Sequence, residues 1–283
     1  MERTRIAPTP SGYLHAGNGV AFLLTAMIAS RMGARVRLRI DDLDTERSRP
    51  EYVKDIFDSL RWLGVEWSEG PKDPAEQERS FAQTKRIPAL LERLYLLKEQ
   101  GDLYACTCSR TALRNLPKGK RDCDCRPKGR SFSDPEAVWR LHLPTDAWVR
   151  VPQLFGQPLL LNPSTLMADP VIRQRTSQNG GRPSYQIASL VDDVEQGTTF
   201  IVRGEDLLPS TACQLYVAER LGSSSFLNVR FVHHPLLLDS TGKKLSKSDG
   251  AGSLAAMRKA GATPEPLLAE AARMLRHLEA PRS

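Results

Sequence analysis

No stretch of this chain is apolar for long enough to cross a membrane. The longest run, Val20 to Ala29, is about half of the roughly 20 residues a spanning helix needs. The opening residues, Met1 to Arg5, are polar, so no secretory signal is expected and the protein reads as cytoplasmic. Two common phosphate motifs are also missing. Gly12 and Gly17 have the spacing that opens a P-loop, but Asn18 and Gly19 stand where Lys and Ser or Thr are required. Gly17 and Gly19 begin a dinucleotide fingerprint that Phe22 breaks. An acidic surplus is absent too: the net charge is +7, which suits a polyanionic partner without requiring one. Cysteine is scarce, five in 283 residues.

What the chain does have begins at Arg5 to Asn18, R-I-A-P-T-P-S-G-Y-L-H-A-G-N. A short strand turns through prolines and a glycine into an apolar helix, Val20 to Met32, that should be buried. A glycine at the helix entry leaves backbone N–H groups pointing outward, an arrangement suited to phosphate. Taken alone, the same segment could be a structural turn. Arg35 to Ile40 then alternates basic and apolar residues as a strand and runs into Asp41, Asp42 and Asp44. Carboxylates at the C-terminal end of such a strand lie where ligands bind in open α/β sheets. Helix capping does not explain Asp41 and Asp42, because Ser48 or Arg49–Pro50 marks the next helix start. A further helical stretch covers Glu76 to Gln100. With 40% hydrophobic residues, the chain can build one large α/β core or two modest ones.

Leu103 to Arg130 differs in character, being densely basic from Arg110 to Arg130 and holding Cys106-x-Cys108 and Cys123-x-Cys125. Two close cysteine pairs in a cytosolic chain favour tetrahedral zinc over disulfides, the alternative being free thiols in a loop. Cys213 lies in a helical pattern and reads as a small core residue. Short strands follow at Trp139–Leu143, Trp148–Val151 and Leu159–Leu161, then the α/β pattern resumes from Tyr185. It includes a strand at Thr199–Val202, a helix at Pro209–Leu221 and a strand at Val229–Val232. His233 and His234 are adjacent, so they cannot both face one site from an extended chain. Gly242 to Gly250 is a lysine- and serine-rich loop, and Leu254 to Leu278 reads as two short amphipathic helices.

With both ends in hand, the chain resembles the class I aminoacyl-tRNA synthetases of the glutamyl type. Leu14-His15-Ala16-Gly17-Asn18 is similar to their HIGH motif and Lys244-Leu245-Ser246-Lys247-Ser248 to their KMSKS motif. The R-I-A-P-T-P-S-G run, the acidic R-I-D-D-x-D segment and I-V-R-G-E-D-L-L are similar to glutamyl-type sequences as well. The resemblance covers about Arg3 to Gly250. It implies an α/β, Rossmann-like class I synthetase catalytic domain with a zinc-bearing α+β insertion and a short helical C-terminal tail. The implied division is residues 1–100 and 185–250 for the two catalytic halves, 101–184 for the insertion and 251–283 for the tail.

The resemblance also implies chemistry. Glutamate would attack the α-phosphate of ATP, with Mg²⁺ accompanying the nucleotide. His15, Gly17, Asn18 and Lys247 would bind ATP, with His15, Asn18, Lys247 and Lys244 serving the developing charge. Arg5 and Arg203 match carboxylate-binding arginines, whose forked donors fit such groups. Tyr185 matches a pocket tyrosine, and Ala7 and Thr9 lie in the run that approaches the amino acid. Asp41 stands where many relatives carry Glu and would face the substrate ammonium, directly or through a water. In the metal module, relatives use three cysteines and a tyrosine, but Arg121 holds the tyrosine's place and cannot be a ligand. The expected set is therefore Cys106, Cys108, Cys123 and Cys125.

Full-length members carry a helical anticodon-binding domain after KMSKS, and here residues 251–283 remain. That length resembles members that join glutamate to the queuosine base at the wobble position of tRNA(Asp) instead of charging a 3′ end. The expected partners are ATP, L-glutamate and queuosine-bearing tRNA(Asp), with no membrane and a monomeric chain. The alternatives are a truncated glutamyl-tRNA synthetase and an idle tRNA-binding module, the latter disfavoured by the intact His15, Asn18, Lys244 and Lys247.

Overall fold

The structure, a computed structural model, describes residues 1–115, 123–237 and 252–280. Its centre is a set of parallel strands. β1 (Arg3–Ile6) pairs with β2 (Arg35–Leu38) in parallel, Arg3 opposite Arg35 and Ile6 opposite Leu38. The pairing is carried on when the Arg39 N–H donates to the Ile6 carbonyl and the Asp41 N–H to the Pro8 carbonyl, both at 2.9 Å. This extension brings Asp41 beside the turn after β1. β8 (Phe200–Gly204) and β9 (Arg230–His234) pair in parallel as well, and the two pairs meet where the Thr199 N–H donates to the Arg3 carbonyl at 2.9 Å.

Helices cover these strands because their sequences leave little choice. α1 (Ala16–Arg31) buries Val20, Phe22, Leu23, Leu24 and Ile28, on more than one face, so it must lie inside. α2 (Pro50–Trp62) starts at the proline that fixes the first helical φ and packs Ile56, Phe57 and Leu60 into the same core. α3 (Ile87–Glu99) is shorter than the helical stretch expected over Glu76 to Gln100. The chain there runs through Pro74–Glu76, a π turn at Gln77–Phe81 and a 3₁₀ turn at Gln83–Arg86. The break falls at Ala82, whose ψ of 129° is extended, and it frees the Gln83 N–H to donate to Asp42 Oδ1 at 2.8 Å.

The insertion contains a three-stranded antiparallel sheet, β3 (Leu103–Cys106), β4 (Val138–Leu141) and β7 (Val171–Arg173) in the order β3-β4-β7, and an antiparallel ribbon of β5 (Val149–Val151) with β6 (Leu159–Leu161). It shares one core with α3, α4 (Tyr185–Glu195) and α5 (Leu208–Arg220): Leu94, Trp139, Leu141, Ile187, Leu215 and Phe231 belong to a single buried cluster. Cys213 is fully buried there, as a small core residue would be. α6 (Leu254–Lys259) and α7 (Glu265–Glu279) return to the first core, burying Leu254, Leu267, Met274 and Leu275 with α1. Among the described residues no helix is long and apolar enough to cross a membrane.

Candidate active site

The C-terminal ends of the parallel strands converge, and each delivers chemistry there. β1 leads to Thr9 and the turn before α1, β2 to Asp41 and Asp42, β8 to Glu205 and Asp206, and β9 to His234. A cavity of about 630 Å³ opens at this edge. Thr9, Asp41, Gln83, Tyr185 and Ser189 line it on one side, Asp44, Glu46, Arg47, Gln174 and Arg182 on another. Arg182 spans part of the rim: its Nη1 donates to the Leu43 carbonyl (3.1 Å) and to Thr45 Oγ1 (2.5 Å).

Beside the cavity is a buried ionic network around Asp193, a residue of α4 that is 1% exposed. Its Oδ1 accepts from Arg5 Nε at 3.1 Å and from Arg39 Nη1 at 2.9 Å. Arg39 also donates through Nε to Asp41 Oδ1 (2.7 Å) and through Nη2 to Ser189 Oγ (3.1 Å). Gln83 completes it, giving its Nε2 protons to Asp41 (3.3 Å) and Asp192 (2.7 Å) while its Oε1 accepts from the Leu43 N–H (3.2 Å). Burial raises the pKa of each carboxyl, and the charges decide the outcome. At Asp193 burial is outweighed by Arg39, Arg5 and Arg203, so its pKa falls below the usual range. At Asp41 burial prevails over Arg39, and the pKa is raised.

Arg203, at the end of β8, is 5% exposed. Its Nη1 donates to Gln214 Oε1 at 3.0 Å and its guanidinium lies over Phe231, 5.0 Å from the ring centre. Burial lowers its pKa, Tyr185 and Asp193 oppose that, and Arg5 adds to it. Its Nε and Nη2 are buried and meet no hydrogen-bond partner among the described residues. Two unsatisfied donors on one buried guanidinium are costly unless a ligand completes them. A carboxylate has the matching fork.

The turn before α1 builds the other half. The His15 N–H donates to Asn18 Oδ1 at 3.1 Å and the Asn18 N–H to the His15 carbonyl at 2.9 Å, so Asn18 shapes the helix entry with its own side chain. A Cβ at Gly17 would come within 2.9 Å of His15 Cε1, so a larger residue there would push the imidazole from its place against the first turn.

The sequence-derived residues therefore gather unequally. Thr9, Asp41 and Tyr185 share the cavity wall, while Arg5 and Arg203 are buried in and around the Asp193 network. Ala7 is half-buried at the end of β1 and does not line the cavity. His15, Gly17 and Asn18 form the helix entry outside its lining. Lys244 and Lys247 lie outside the described residues. His233 stacks on Phe231 (ring centres 5.9 Å apart) with Nε2 2.7 Å from Thr211 Oγ1, whereas His234 Nδ1 lies 2.9 Å from the Pro235 carbonyl. Sequence reasoning missed Arg39, Gln83, Ser189, Asp192 and Asp193. The Asp192–Asp193 pair in the midst of the Ile187, Leu190, Val191 and Val194 pattern was a readable signal, while Gln83 carried none.

In the insertion, the sulfur atoms of Cys106, Cys108, Cys123 and Cys125 all lie within 4.8 Å of one another, with Cys106–Cys123 and Cys108–Cys125 at 3.5 Å. Four tetrahedral thiolates at about 2.3 Å from one ion would stand roughly 3.8 Å apart, so the donor set can hold a metal ion. Burial raises the Cys108 and Cys123 thiols, whereas at Cys125 burial is outweighed by hydrogen bonding from Cys108 and the Thr107 backbone, which lowers the pKa to about 7.

Parallel strands that feed a helix-entry turn and converge at their C-terminal ends form an α/β fold, here that of a class I synthetase catalytic domain. The chain belongs to the class I tRNA synthetase family (E and Q), catalytic domain, which it matches over residues 2–282. It is 34% identical over 284 residues to the glutamate–tRNA ligase of Microcystis aeruginosa, covering 94% of this chain and 56% of that protein. It is also 34% identical over 277 residues to the glutamyl-Q tRNA(Asp) synthetase of Nitratidesulfovibrio vulgaris, covering 92% of this chain and 82% of that one. Among solved structures, the glutamate-tRNA synthetase of Elizabethkingia anophelis superposes with a TM-score of 0.67 at 26% identity, covering 88% of this chain and 53% of that one. The chain thus spans little more than half the length of these two glutamate–tRNA ligases.

Proposed function

We propose that this protein activates L-glutamate with ATP, without tRNA, and transfers the glutamyl group to the queuosine base at the wobble position of tRNA(Asp). The observation that carries the activation half is the buried Arg203, whose two unpartnered donors beside Tyr185 suit a substrate carboxylate. Arg5 offers a second guanidinium, shared with Asp193. Asp41 lines the cavity but is already held by Arg39 and Gln83, so the substrate ammonium meets a carboxylate with little freedom to reach it, and a bridging water is the favoured contact. A glutamate carboxylate oxygen bonds to the α-phosphorus of ATP as the bond to pyrophosphate breaks. The N-terminal N–H groups of α1, with His15, Gly17 and Asn18, suit the phosphates. Lys247 and Lys244 are assigned to the leaving pyrophosphate by motif alone. A queuosine hydroxyl then attacks the glutamyl carbonyl carbon, losing its proton as AMP departs. Mg²⁺ accompanies ATP, and one zinc on the four cysteines stabilises the insertion.

The acceptor half is supported by the relative named for that reaction, matched along most of its own length. A second reading, charging of a tRNA 3′ end, is favoured by the equal identity to a glutamate–tRNA ligase. ATP–pyrophosphate exchange with glutamate, run with and without tRNA, separates them. Exchange without tRNA is expected. A strict requirement for tRNA, with charging of unmodified tRNA(Glu), would reverse the choice.

A further inference from the structure

The turn that leads into α1 is held from outside by two elements far away in sequence. The Leu14 N–H donates to Asp55 Oδ2 on α2 at 3.2 Å, and the Leu14 carbonyl accepts from the Leu254 N–H at the start of α6 at 2.7 Å. His15 and Ser253 form an antiparallel bridge next to this contact. Asp55 is 4% exposed. Its other oxygen takes Arg258 Nη2 at 2.7 Å and the Ser59 hydroxyl at 3.4 Å, and Arg258 Nη1 donates to Ser59 Oγ at 2.5 Å. The helices after residue 252 also close tightly here: a Cβ at Gly19 would stand 3.2 Å from Leu267 Cδ1 and 3.3 Å from Leu254 Cδ2.

Anion binding at a helix entry depends on where its first N–H groups point, and small misorientations of pre-aligned donors are costly. One buried carboxylate fixes the N–H of the residue immediately before His15. That carboxylate also carries a negative charge close to a turn meant for phosphate, where it would oppose the ligand unless neutralised. Arg258 neutralises it. We propose that Asp55 and Arg258 are positioning residues for the nucleotide, through which the segment after residue 252 sets ATP affinity without touching ATP. The inference rests on the reading above that the entry of α1 takes the phosphates of ATP.

The test uses the full chain and the variants R258M, D55N and the double D55N/R258M. Backbone amide exchange at Leu14 to Gly19 is followed by mass spectrometry or NMR, and ATP and glutamate affinities are measured separately at equilibrium. R258M should exchange faster at Leu14 and bind ATP at least about tenfold more weakly, while glutamate affinity stays within about twofold. The double variant should recover most of the ATP affinity, because the neutral amide introduced by D55N needs no cation beside it. Unchanged exchange at Leu14, equal weakening for both ligands, or wild-type ATP affinity in a folded R258M of lowered melting temperature would each overturn the inference. Should R258M fail to fold, R258K keeps the charge but loses the two-pronged contact. An intermediate ATP affinity then supports the pair, and wild-type affinity overturns it. A wild type that binds both ligands without exchanging pyrophosphate counts against the proposed function and leaves the positioning pair standing.

Discussion

At the scale of single residues, buried charge decides what the site can tolerate. In the proposed function Arg203 pairs with a substrate carboxylate, and removing one partner of a buried, hydrogen-bonded ion pair costs about 3–5 kcal/mol. Arg203→Ala should therefore lower glutamate-dependent pyrophosphate exchange by at least roughly a hundredfold. Activity within a few-fold of wild type would remove Arg203 from substrate recognition. Asp193 makes a separate, stability-based prediction. Its folded pKa lies below the unfolded value, because Arg39, Arg5 and Arg203 outweigh burial. Its contribution is thus present above the unfolded carboxyl pKa of about 3.9 and is lost as pH falls through the lower folded value. Asp193→Asn should destabilise the protein strongly at neutral pH. The gap from wild type, read by urea unfolding, should shrink as pH drops below about 4. A gap independent of pH would mean that Asp193 acts by shape alone.

At the scale of elements, the insertion has a minor core of its own, Tyr104, Val138 and the cysteines Cys106, Cys123 and Cys125. Such a small cluster contributes little without a bound ion, since metal binding and local folding are one event in modules of this size. Purified protein should carry about one zinc, by the four-ligand rule for structural sites. Cys123→Ala should lose it, together with amide-exchange protection in Leu103–Cys106 and Val138–Leu141. Full zinc retention in that variant, with loss in Cys125→Ala, would show that Cys123 is not a ligand. The broken helix at residues 77–86 is the other telling element. A continuous helix over that span was the expectation, and the hydrogen bonds from Gln83 to Asp42, Asp41 and Asp192 explain why the chain departs from it.

At the scale of the whole molecule, the proposed reaction sets a basic protein against a polyanion. The net charge of +7 and the exposed Arg126, Lys128 and Arg130 on the insertion suit phosphate contacts. These set affinity and position but carry no base identity. Identity would come from a wobble base splayed out of the anticodon loop into the site, as RNA-binding proteins commonly arrange. Glutamate transfer to queuosine-bearing tRNA(Asp) should weaken steeply as salt is raised. Exchange of glutamate with ATP alone should change far less. The same tRNA without queuosine should accept nothing, and transfer to it at a comparable rate would redirect the proposal to the 3′ end.

The sequence by itself determined the class of the molecule and three residues of the cavity wall, Thr9, Asp41 and Tyr185. The strand–turn–helix at Arg5 to Asn18, the Asp41 carboxylate at a strand end, Arg203 after a second strand and four closely spaced cysteines were all legible, because each depends on local pattern and residue chemistry. Tertiary structure alone decided which charges neutralise one another. Arg5, Arg39, Asp41 and Asp193 come from three separate segments, and their pairing depends on how β1, β2 and α4 pack. No local propensity encodes that. Gln83 and Asp55 were silent for the same reason: an ordinary polar side chain becomes decisive only when folding buries it between partners scores of residues away. Burial raises the cost of every unsatisfied polar group, and so it is packing that turned these residues into constraints on the site.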